Sequence, residues 1–256
     1  MPFIELESVD STNNYALGQI SAGLAQHGTA FFAREQVSGK GQRGKIWLAP
    51  GDSSLILSIV IDPAPLLLHQ QNQLSICTAL SVCQFFNKYV GGEAKIKWPN
   101  DIYWHDRKAG GILIENLVGG NPDITGTTGS SPTDSNWRYA VVGVGMNLNQ
   151  ESFPTELKNA VSLLQITGRK TLPVVLAQEL CAQLNLNFSR LIAGGFTEIY
   201  AEYLKLLYKV GEVVKFRQGA RTFEARIITV LETGKLVVQH AFEEEFWFGE
   251  LEWVLA

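Results

Sequence analysis

The stretch KIKWPNDIYWHDRKAGGILIE, residues 95–115, says most about the fold of this chain. It begins as a strand that should end at Pro99, because proline cannot donate to the hydrogen bonds of a central sheet. A second strand follows in GGILIE, and the turn before it lies at residues 105–107. Lys108 stands beside small residues, so its point charge could reach a carboxylate or a phosphate unscreened. An ordinary hairpin explains the same residues, and the stretch alone does not decide between the two interpretations.

The sequence around this hairpin predicts a domain that combines helices with a sheet. Residues 54–61, SLILSIVI, form a continuous apolar run, which is typical of a strand covered on both faces. Apolar residues from Ile76 to Phe86 recur at three- and four-residue steps, which predicts a buried helix. GGILIE and residues 138–149 are predicted to be antiparallel neighbours. Residues 172–208 predict two helices separated by a glycine pair.

Two other parts of the chain differ from this domain in composition and in the length of their predicted elements. Residues 116–137 are rich in Gly, Pro, Ser, Thr, Asn and Asp, which predicts a long, mobile hairpin loop. The end of the chain carries five short strand-like segments separated by turns at Gly219, Gly234 and Gly249. That spacing favours a small barrel over a continuation of the main sheet. We therefore expect two domains, residues 1–208 and residues 209–256.

The composition of the chain argues against several classes of protein. The formal net charge is −4 and 46% of the 256 residues are hydrophobic, which disfavours a nucleic-acid binder and global disorder. No apolar run approaches the length of a membrane span, and the first residues do not resemble a signal peptide. The three cysteines form no CxxC pair and the four histidines lie far apart. We expect reduced thiols in a cytoplasmic protein and no dedicated metal site.

A basic loop stands out against this acidic background. In GKGQRGKIW, residues 39–47, three cations alternate with glycines: Lys40, Arg43 and Lys45. Glycine lets backbone N–H groups turn toward an anion, so a phosphate or a carboxylate is the natural ligand. A solvated surface loop is the simpler interpretation of this segment by itself. Its spacing is not that of a Walker A motif, nor is it followed by the apolar helix of a dinucleotide-binding fold.

Two further segments place polar or small residues where a ligand could approach. In DSTNNYA, residues 10–16, Asp10 or Ser11 can cap a helix whose apolar positions continue to Leu24. The same hydroxyl and amide groups could meet a polar ligand. In VVGVGMNLN, residues 141–149, two glycines interrupt a strand, which often marks the close approach of a ligand.

These segments occur together and in order, and the set resembles the catalytic module of biotin protein ligases. The matching pieces are DSTN, the basic loop ending in Trp47, KWPND followed by RKAGGILIE, GVGMNLN and the later SLLQITGRK. The resemblance covers nearly the whole chain. It implies a mixed-sheet α/β domain like that of class II aminoacyl-tRNA synthetases, followed by a small SH3-like β-barrel. Because DSTN begins at residue 10, it also implies the short form without a DNA-binding domain.

The resemblance further implies which residues form the site. For biotin it implies Ser11, Thr12, Asn13, Gln36, Gly39, Lys40, Trp47, Lys108 and Gly111. For ATP and the adenylate it implies Lys40, Gln42, Arg43, Asn100, Gly143, Gly145 and Asn147. The implied catalytic residues are Lys108, Arg43 and Asp101, of which the last would orient or deprotonate an incoming lysine. Gln42 departs from the family pattern, which has arginine there in the well-studied bacterial type.

The implied reaction joins biotin and ATP into biotinyl-5′-AMP and then passes biotin to a lysine of a biotin carboxyl carrier protein. Two anions meet in the first step, so positive groups and magnesium bound with ATP are required. The basic loop would enclose the anionic intermediate, which would account for the positive charges of the loop. We expect neither DNA nor a membrane as a partner, and the exposed sheet edges would allow a homodimer.

Two alternatives remain open at this stage. A lipoate or octanoate protein ligase shares the fold, but such proteins carry a longer glycine run with a histidine nearby, whereas Trp47 follows the loop here. A non-catalytic biotin or nucleotide sensor is an alternative from another class. The presence of Asn100, Asp101 and Lys108 favours an enzyme over such a sensor.

Overall fold

The computed structural model describes residues 2–47, 51–119 and 137–254. Its strands are β1 (Phe3–Val9), β2 (Ala30–Gln36), β3 (Ser54–Ile61), β4 (Ala94–Lys97), β5 (Asp101–Trp104), β6 (Arg107–Val118), β7 (Trp137–Asn147), β8 (Val213–Gln218), β9 (Arg221–Val230), β10 (Leu236–Gln239), β11 (Glu243–Phe246) and β12 (Glu252–Trp253). Its α-helices are α1 (Thr12–Ser21), α2 (Gln71–Val90), α3 (Leu163–Thr167), α4 (Pro173–Ile192) and α5 (Phe196–Lys205).

The main sheet has seven strands in the order β1-β2-β3-β7-β6-β5-β4. β1 and β2 are parallel, and every other neighbouring pair is antiparallel, so the sheet is mixed. This confirms the predicted α/β class. The predicted pairing of the strand from GGILIE with the strand from 138–149 is also confirmed, since β6 and β7 pair from Gly110 to Val118.

One face of this sheet carries the larger core. Every residue of β3 is buried, as expected for a continuous apolar run between two layers. The helices α2 and α4 pack on this face with α5 beside them, and the two predicted helices of residues 172–208 end and begin around Gly194 as expected. The resulting core joins Phe32 and Leu57 of the sheet with Phe85 of α2 and Leu180 of α4.

The opposite face is covered mainly by α1 and carries the smaller core of Ala16, Ile20, Phe31 and others. Ser11 is the N-cap residue of α1, but its hydroxyl makes no capping hydrogen bond. The helix ends at Ser21, so the expectation that Leu24 continues its apolar face is wrong. Leu24 is instead strongly exposed. The short α1 therefore leaves part of this sheet face open.

The C-terminal segments form a second, antiparallel sheet in the order β11-β10-β9-β8-β12. The five predicted strands are confirmed, but the closed barrel is not. The edge strands β11 and β12 each pair with a single neighbour, so the SH3-like unit is an open sheet among the described residues. Its apolar residues, including Phe216 and Val238, belong to the same core as α2 and the main sheet.

Two sequence-based expectations have a limited outcome here. Of the loop predicted over residues 116–137, the ends belong to β6 and β7, and residues 120–136 lie outside the described residues. The division at residue 208 remains a prediction.

The three cysteines, Cys77, Cys83 and Cys181, are buried free thiols. Among the described helices, none is both long and apolar enough to cross a membrane.

Candidate active site

A trough crosses the sheet face that α1 leaves open, and its floor consists of residues without side chains. Ile56 of β3 lies opposite Gly145 of β7, which lies opposite Gly111 of β6. In the neighbouring row, Ser58 lies opposite Gly143. Directly opposed residues in a sheet project from the same face, so these glycines leave a hollow where side chains would otherwise stand. The cleft above them encloses about 490 Å³.

Polar groups close one end of this cleft. Gln36 Oε1 accepts hydrogen bonds from the backbone N–H of Thr12 at 2.8 Å and from its hydroxyl at 3.2 Å. Ser58 Oγ lies 2.7 Å from Thr12 Oγ1 and donates to Asn13 Oδ1 at 2.6 Å. Asn13 Nδ2 donates to Glu115 Oε2 at 2.7 Å, which fixes the amide orientation. These side chains are held in one network and present donors and acceptors at fixed positions.

The basic loop folds over the middle of the cleft as a small hairpin. The N–H of Trp47 donates to the carbonyl of Gly39 at 2.9 Å, and the N–H of Gly41 donates to the carbonyl of Lys45 at 2.6 Å. The indole of Trp47 rests directly on Gly145, because a Cβ built there would lie 2.6 Å from Trp47 Cε2. Its indole Nε1 is buried without a hydrogen-bond partner among the described residues.

A cationic group lies at the other end of the cleft. Lys108 Nζ forms an ion pair with Asp101 Oδ1 at 2.6 Å and lies 5.8 Å from the ring centroid of Trp47. About a third of the Lys108 side chain is exposed. Lys40 also lines the cleft, but its ammonium donates to Asn14 Oδ1 of α1, beside the polar end. The cleft therefore runs from neutral polar groups, past an aromatic ring, to the ammonium of Lys108.

Most of the predicted site residues line this one cleft: Ser11, Thr12, Asn13, Gln36, Lys40, Gln42, Trp47, Asn100, Lys108, Gly111, Gly143 and Gly145. Four others lie outside the lining. Asp101 contacts the cleft through its ion pair with Lys108. Gly39 packs beneath the loop against Gln36 and the carbonyl of Trp47. Arg43 and Asn147 are directed elsewhere.

Arg43 faces the C-terminal sheet. Its Nη1 donates to the carbonyl of Gly249 at 3.1 Å, and its guanidinium lies 6.0 Å from the ring centroid of Phe248. Asn147 is buried and donates to the carbonyls of Lys108 and Val161 at 3.4 and 3.3 Å. In this structure Asn147 supports the backbone of Lys108 and does not line the cleft itself.

A second cleft of about 730 Å³ adjoins the first and shares Gln42, Asn100 and Ile112 with it. Its lining includes Trp98 and Phe248 of the C-terminal part, whose rings are in edge-to-face contact. Gln42 Oε1 is buried without a partner among the described residues, at the junction of the two clefts. A ligand longer than the first cleft could therefore extend into the second.

Sequence reasoning missed several residues of this site. Ser58 and Glu115 belong to the polar network, and the signal for Ser58 was a hydroxyl inside the apolar run SLILSIVI. Lys97 was also missed. It is 8% exposed, and its ammonium lies 4.9 Å from the ring centroid of Tyr103 and 4.8 Å from that of Trp253.

Burial lowers the pKa of Lys97 to about 8. The carboxylate of Asp101 acts in the opposite direction, and the positive charges of Lys108 and Lys45 lower the pKa further. No group of three His, Cys, Asp or Glu side chains within residues 2–47, 51–119 and 137–254 is placed to hold a metal.

Comparisons with known proteins agree with this arrangement. The sequence model of the biotin/lipoate A/B protein ligase family matches residues 5–125, which include the polar end, the basic loop and Lys108. The biotin–[acetyl-CoA-carboxylase] ligase of Paracoccus denitrificans is 28% identical over 241 residues, covering 91% of this chain and 92% of that protein. The chain belongs to the biotin protein ligase family. The family predicted from the ordered motifs is thereby confirmed.

Other biotin protein ligases extend the comparison. The bifunctional ligase/repressor BirA of Escherichia coli is 32% identical over 188 residues, which are 71% of this chain and 53% of that protein. The chain spans 53% to 68% of the length of the BirA relatives from Bacillus and E. coli. The Aquifex aeolicus biotin protein ligase, solved with biotin and ATP, has the same fold, with a TM-score of 0.77 at 24% identity over 98% of this chain and 97% of that one.

We expect Lys97→Met to raise the free energy of unfolding at pH 7, by on the order of a few kcal/mol, because a buried charge is removed. The lysine in the unfolded chain titrates near its ordinary pKa of 10.5, whereas the folded one titrates near 8. Between these values the unfolded state binds more protons, so the wild type gains stability as the pH rises. The difference in the free energy of unfolding between wild type and Lys97→Met should therefore become smaller as the pH rises from about 8 to 10.5.

Urea denaturation at several pH values measures this difference. Lys95→Met is the matched control, since Lys95 lies on the same strand and its ammonium donates to the exposed carbonyl of Lys205. Its effect should be small and constant with pH. If the difference in the free energy of unfolding between wild type and Lys97→Met stays the same from about pH 7 to about pH 10, the pKa of Lys97 is not lowered by burial.

Proposed function

We propose that this chain activates biotin with ATP to biotinyl-5′-AMP and transfers the biotinyl group to a lysine of a biotin carboxyl carrier domain. The observation that carries the proposal is the order of polarity along the cleft. Neutral hydrogen-bonding groups lie at one end, an aromatic ring in the middle and the ammonium of Lys108 at the other end. Biotin has the same order, with a ureido ring, an apolar thioether ring and chain, and a carboxylate.

The polar end suits a urea better than an apolar head group. A ureido ring offers two N–H donors and one carbonyl acceptor, and Thr12, Asn13, Gln36 and Ser58 supply neutral partners of both kinds. The dithiolane of lipoate and the alkyl chain of octanoate could not pair with such groups. Burying this network against an apolar ligand would leave polar groups unsatisfied, which costs about 1–3 kcal/mol for each group. The cleft therefore favours biotin over either acid.

The middle of the cleft suits a flat, apolar segment. Gly143 and Gly145 bring no side chain to the floor, and Asn13 lies over Gly143 while Trp47 lies over Gly145 from the loop side. Aromatic surface buried against an apolar ligand contributes binding free energy in proportion to the area removed from water. We propose that Trp47 yields the space above Gly145 to the biotin ring and then packs on it.

The cationic end suits the chemistry of adenylation. The biotin carboxylate attacks the α-phosphate of ATP, the bond to the β-phosphate breaks and pyrophosphate leaves. Two anions meet in this step, and Lys108 with Lys40 would neutralise the charge that develops between them. The nucleotide would extend past Gln42 and Asn100, which line both clefts. Magnesium would arrive with the ATP phosphates, since the described residues offer no cluster of their own to hold it.

In the second step the amine of the carrier lysine attacks the acyl carbon and AMP leaves. A protonated lysine cannot attack, so a base must accept its proton. Asp101 is proposed for this role, because its carboxylate lies at the cationic end of the cleft and 2.6 Å from Lys108. The proposal of a carboxyl carrier as the acceptor is supported by the name of the Paracoccus relative, a biotin–[acetyl-CoA-carboxylase] ligase.

Exchange of labelled pyrophosphate into ATP tests the first step. Exchange should depend on biotin and be absent with lipoate or octanoate. A carrier domain from a biotin-dependent carboxylase should then become biotinylated, while the same domain with its target lysine replaced by arginine should not. Exchange supported by lipoate and not by biotin would make the chain a lipoate ligase and overturn the proposal.

Lys108→Ala should slow adenylate formation by at least about a hundredfold, because one preorganised charge is lost from an anionic transition state. Single-turnover formation of biotinyl-5′-AMP at saturating biotin and ATP measures the rate. Lys170→Ala is the control, since Lys170 is exposed and pairs with Glu151 at 3.3 Å. An unchanged rate for Lys108→Ala with unchanged thermal stability would remove Lys108 from the mechanism.

Gly145→Ala should weaken biotin binding by about tenfold or more, a difference of about 1.4 kcal/mol. The added methyl group would take space above the floor that is proposed for the biotin ring and that Trp47 Cε2 now approaches to 2.6 Å from the position of the new Cβ. Calorimetric titration with biotin measures the affinity. Gly18→Ala in α1 is the matched control, because no atom of the described residues outside its own helix lies within 4 Å of its Cβ position. Equal affinities for the two variants would show that biotin does not lie against the floor at Gly145.

A further inference from the structure

The row of residues that forms the trough floor continues to a lysine that the proposed reaction has not used. Gly111 of β6 lies opposite Asp101 of β5, and Asp101 lies opposite Lys97 of β4. Cross-strand partners project from the same face of a sheet. Lys97 and Asp101 are therefore side-chain neighbours on the face that carries the cleft.

The carboxylate of Asp101 has two cations near it as a result. Lys108 Nζ forms an ion pair with Asp101 Oδ1 at 2.6 Å. Lys97, directly opposite Asp101 on β4, lies close enough for the two charges to interact. A carboxylate that is shared between two cations binds each of them less tightly than a carboxylate with a single partner, because its charge is partly compensated by the other.

Lys97 has little freedom to leave this position. Its ammonium lies between the rings of Tyr103 and Trp253, at 4.9 and 4.8 Å from their centroids, and the side chain is 8% exposed. Cation–π contact with two rings replaces part of the hydration that burial removes. This pair of rings comes from the main sheet and from β12 of the C-terminal sheet. The ammonium therefore has both contacts only when the two sheets are packed together.

The other ionisable groups near Lys97 are few among the described residues. From the main sheet these are Asp101, Lys108 and Tyr103, and from the basic loop Lys45. On β12, the carboxylate of Glu252 is paired with Arg217 at 2.6 Å. Asp101 is thus the carboxylate that interacts with the charge of Lys97.

We propose that Lys97 is a positioning residue for adenylate formation: its charge compensates Asp101, so that Lys108 can leave that carboxylate and meet the biotin carboxylate and the α-phosphate. The inference rests on the proposed function. Lys97 touches neither reactant and acts through Asp101. Without the charge on Lys97, Asp101 keeps Lys108 as its sole compensating partner and competes with the reactants for it.

The charge on Lys97 is lost in an accessible pH range, since burial lowers its pKa to about 8. The proposal therefore predicts a decrease in the rate of adenylate formation as the pH rises through this value. The carrier lysine is absent from this half-reaction, so its titration cannot contribute. A purely structural role for Lys97 would not produce this decrease.

The experiment measures biotin-dependent adenylate formation from about pH 6.5 to about pH 9.5 for the wild type, Lys97→Met, Lys97→Arg and Lys95→Met. Lys97→Met should be slower than wild type at pH 7 by about tenfold, which corresponds to 1.4 kcal/mol, with a smaller change in the KM for biotin. Its rate should approach the wild-type rate at high pH. Lys97→Arg should retain its rate to high pH, and Lys95→Met should follow the wild type throughout.

A double-mutant cycle tests whether Lys97 acts through Asp101. Lys97→Met should slow adenylate formation in the wild-type background and have no further effect in Asp101→Asn, where no carboxylate competes for Lys108. Circular dichroism of each variant establishes that it is folded. Equal effects of Lys97→Met in both backgrounds would overturn the inference, as would a wild-type rate that does not change between about pH 7 and pH 9.

The failures of the two proposals are distinguishable. A wild-type chain that forms no adenylate from biotin at any pH overturns the proposed function together with this inference. An active wild type whose rate and pH profile are matched by Lys97→Met overturns only the role of Lys97.

Discussion

The absence of side chains along one row of the sheet is the constraint on which the rest of the site depends. Gly111 and Gly145 lie opposite each other on adjacent strands, with Gly143 in the next row, and their bare backbone opens a trough in the sheet. The helix α1 is only ten residues long, and its Asn13 covers Gly143. The indole of Trp47 fills the gap from the loop side. The glycines of β6 and β7, the helix α1 and the basic loop thus come from separate parts of the chain and meet at the same cleft.

The charge distribution follows the same geometry. The chain is acidic overall, with a formal net charge of −4, but the ammonium of Lys108 on β6 lies at one end of the trough, paired with Asp101. At the other end, amides and hydroxyls form a network that includes the carboxylate of Glu115. The loop cations are directed elsewhere, Lys40 to Asn14 of α1 and Arg43 to the C-terminal sheet. The positive charge nearest the far end of the cleft therefore comes from β6.

The C-terminal sheet contributes to this site as well as to stability. Its apolar residues share one core with α2 and the main sheet. Trp98 Nε1 donates to the carbonyl of Gly234 at 2.8 Å, and Arg43 reaches the carbonyl of Gly249. Trp253 covers Lys97. The expected division into residues 1–208 and 209–256 remains a proposal, and these contacts mean that the two parts would have to stay docked for the clefts to keep their walls.

The sequence by itself determined the class of the fold and the family, and it named part of the lining of the cleft. Apolar runs and helical periodicity depend on neighbouring residues, so they are visible along the chain, and the ordered motifs contained Gln36, Trp47 and Lys108 at readable spacing. The mixed sheet was expected for the same reason. The small SH3-like unit was also expected, but strand spacing predicts that strands exist and does not determine whether the first and last ones pair, and among the described residues they do not.

Only the tertiary structure decided which side chains cooperate. Ser58 joins the polar end because β3 and β7 align it with Gly143, and Lys97 joins the cationic end because β4 and β5 align it with Asp101. Arg43 and Asn147 were expected at the adenylate but are directed toward the C-terminal sheet and the backbone of Lys108. Cross-strand register is set by packing over the whole sheet, and a one-residue shift would reverse every one of these faces. No local pattern in the sequence contains that information.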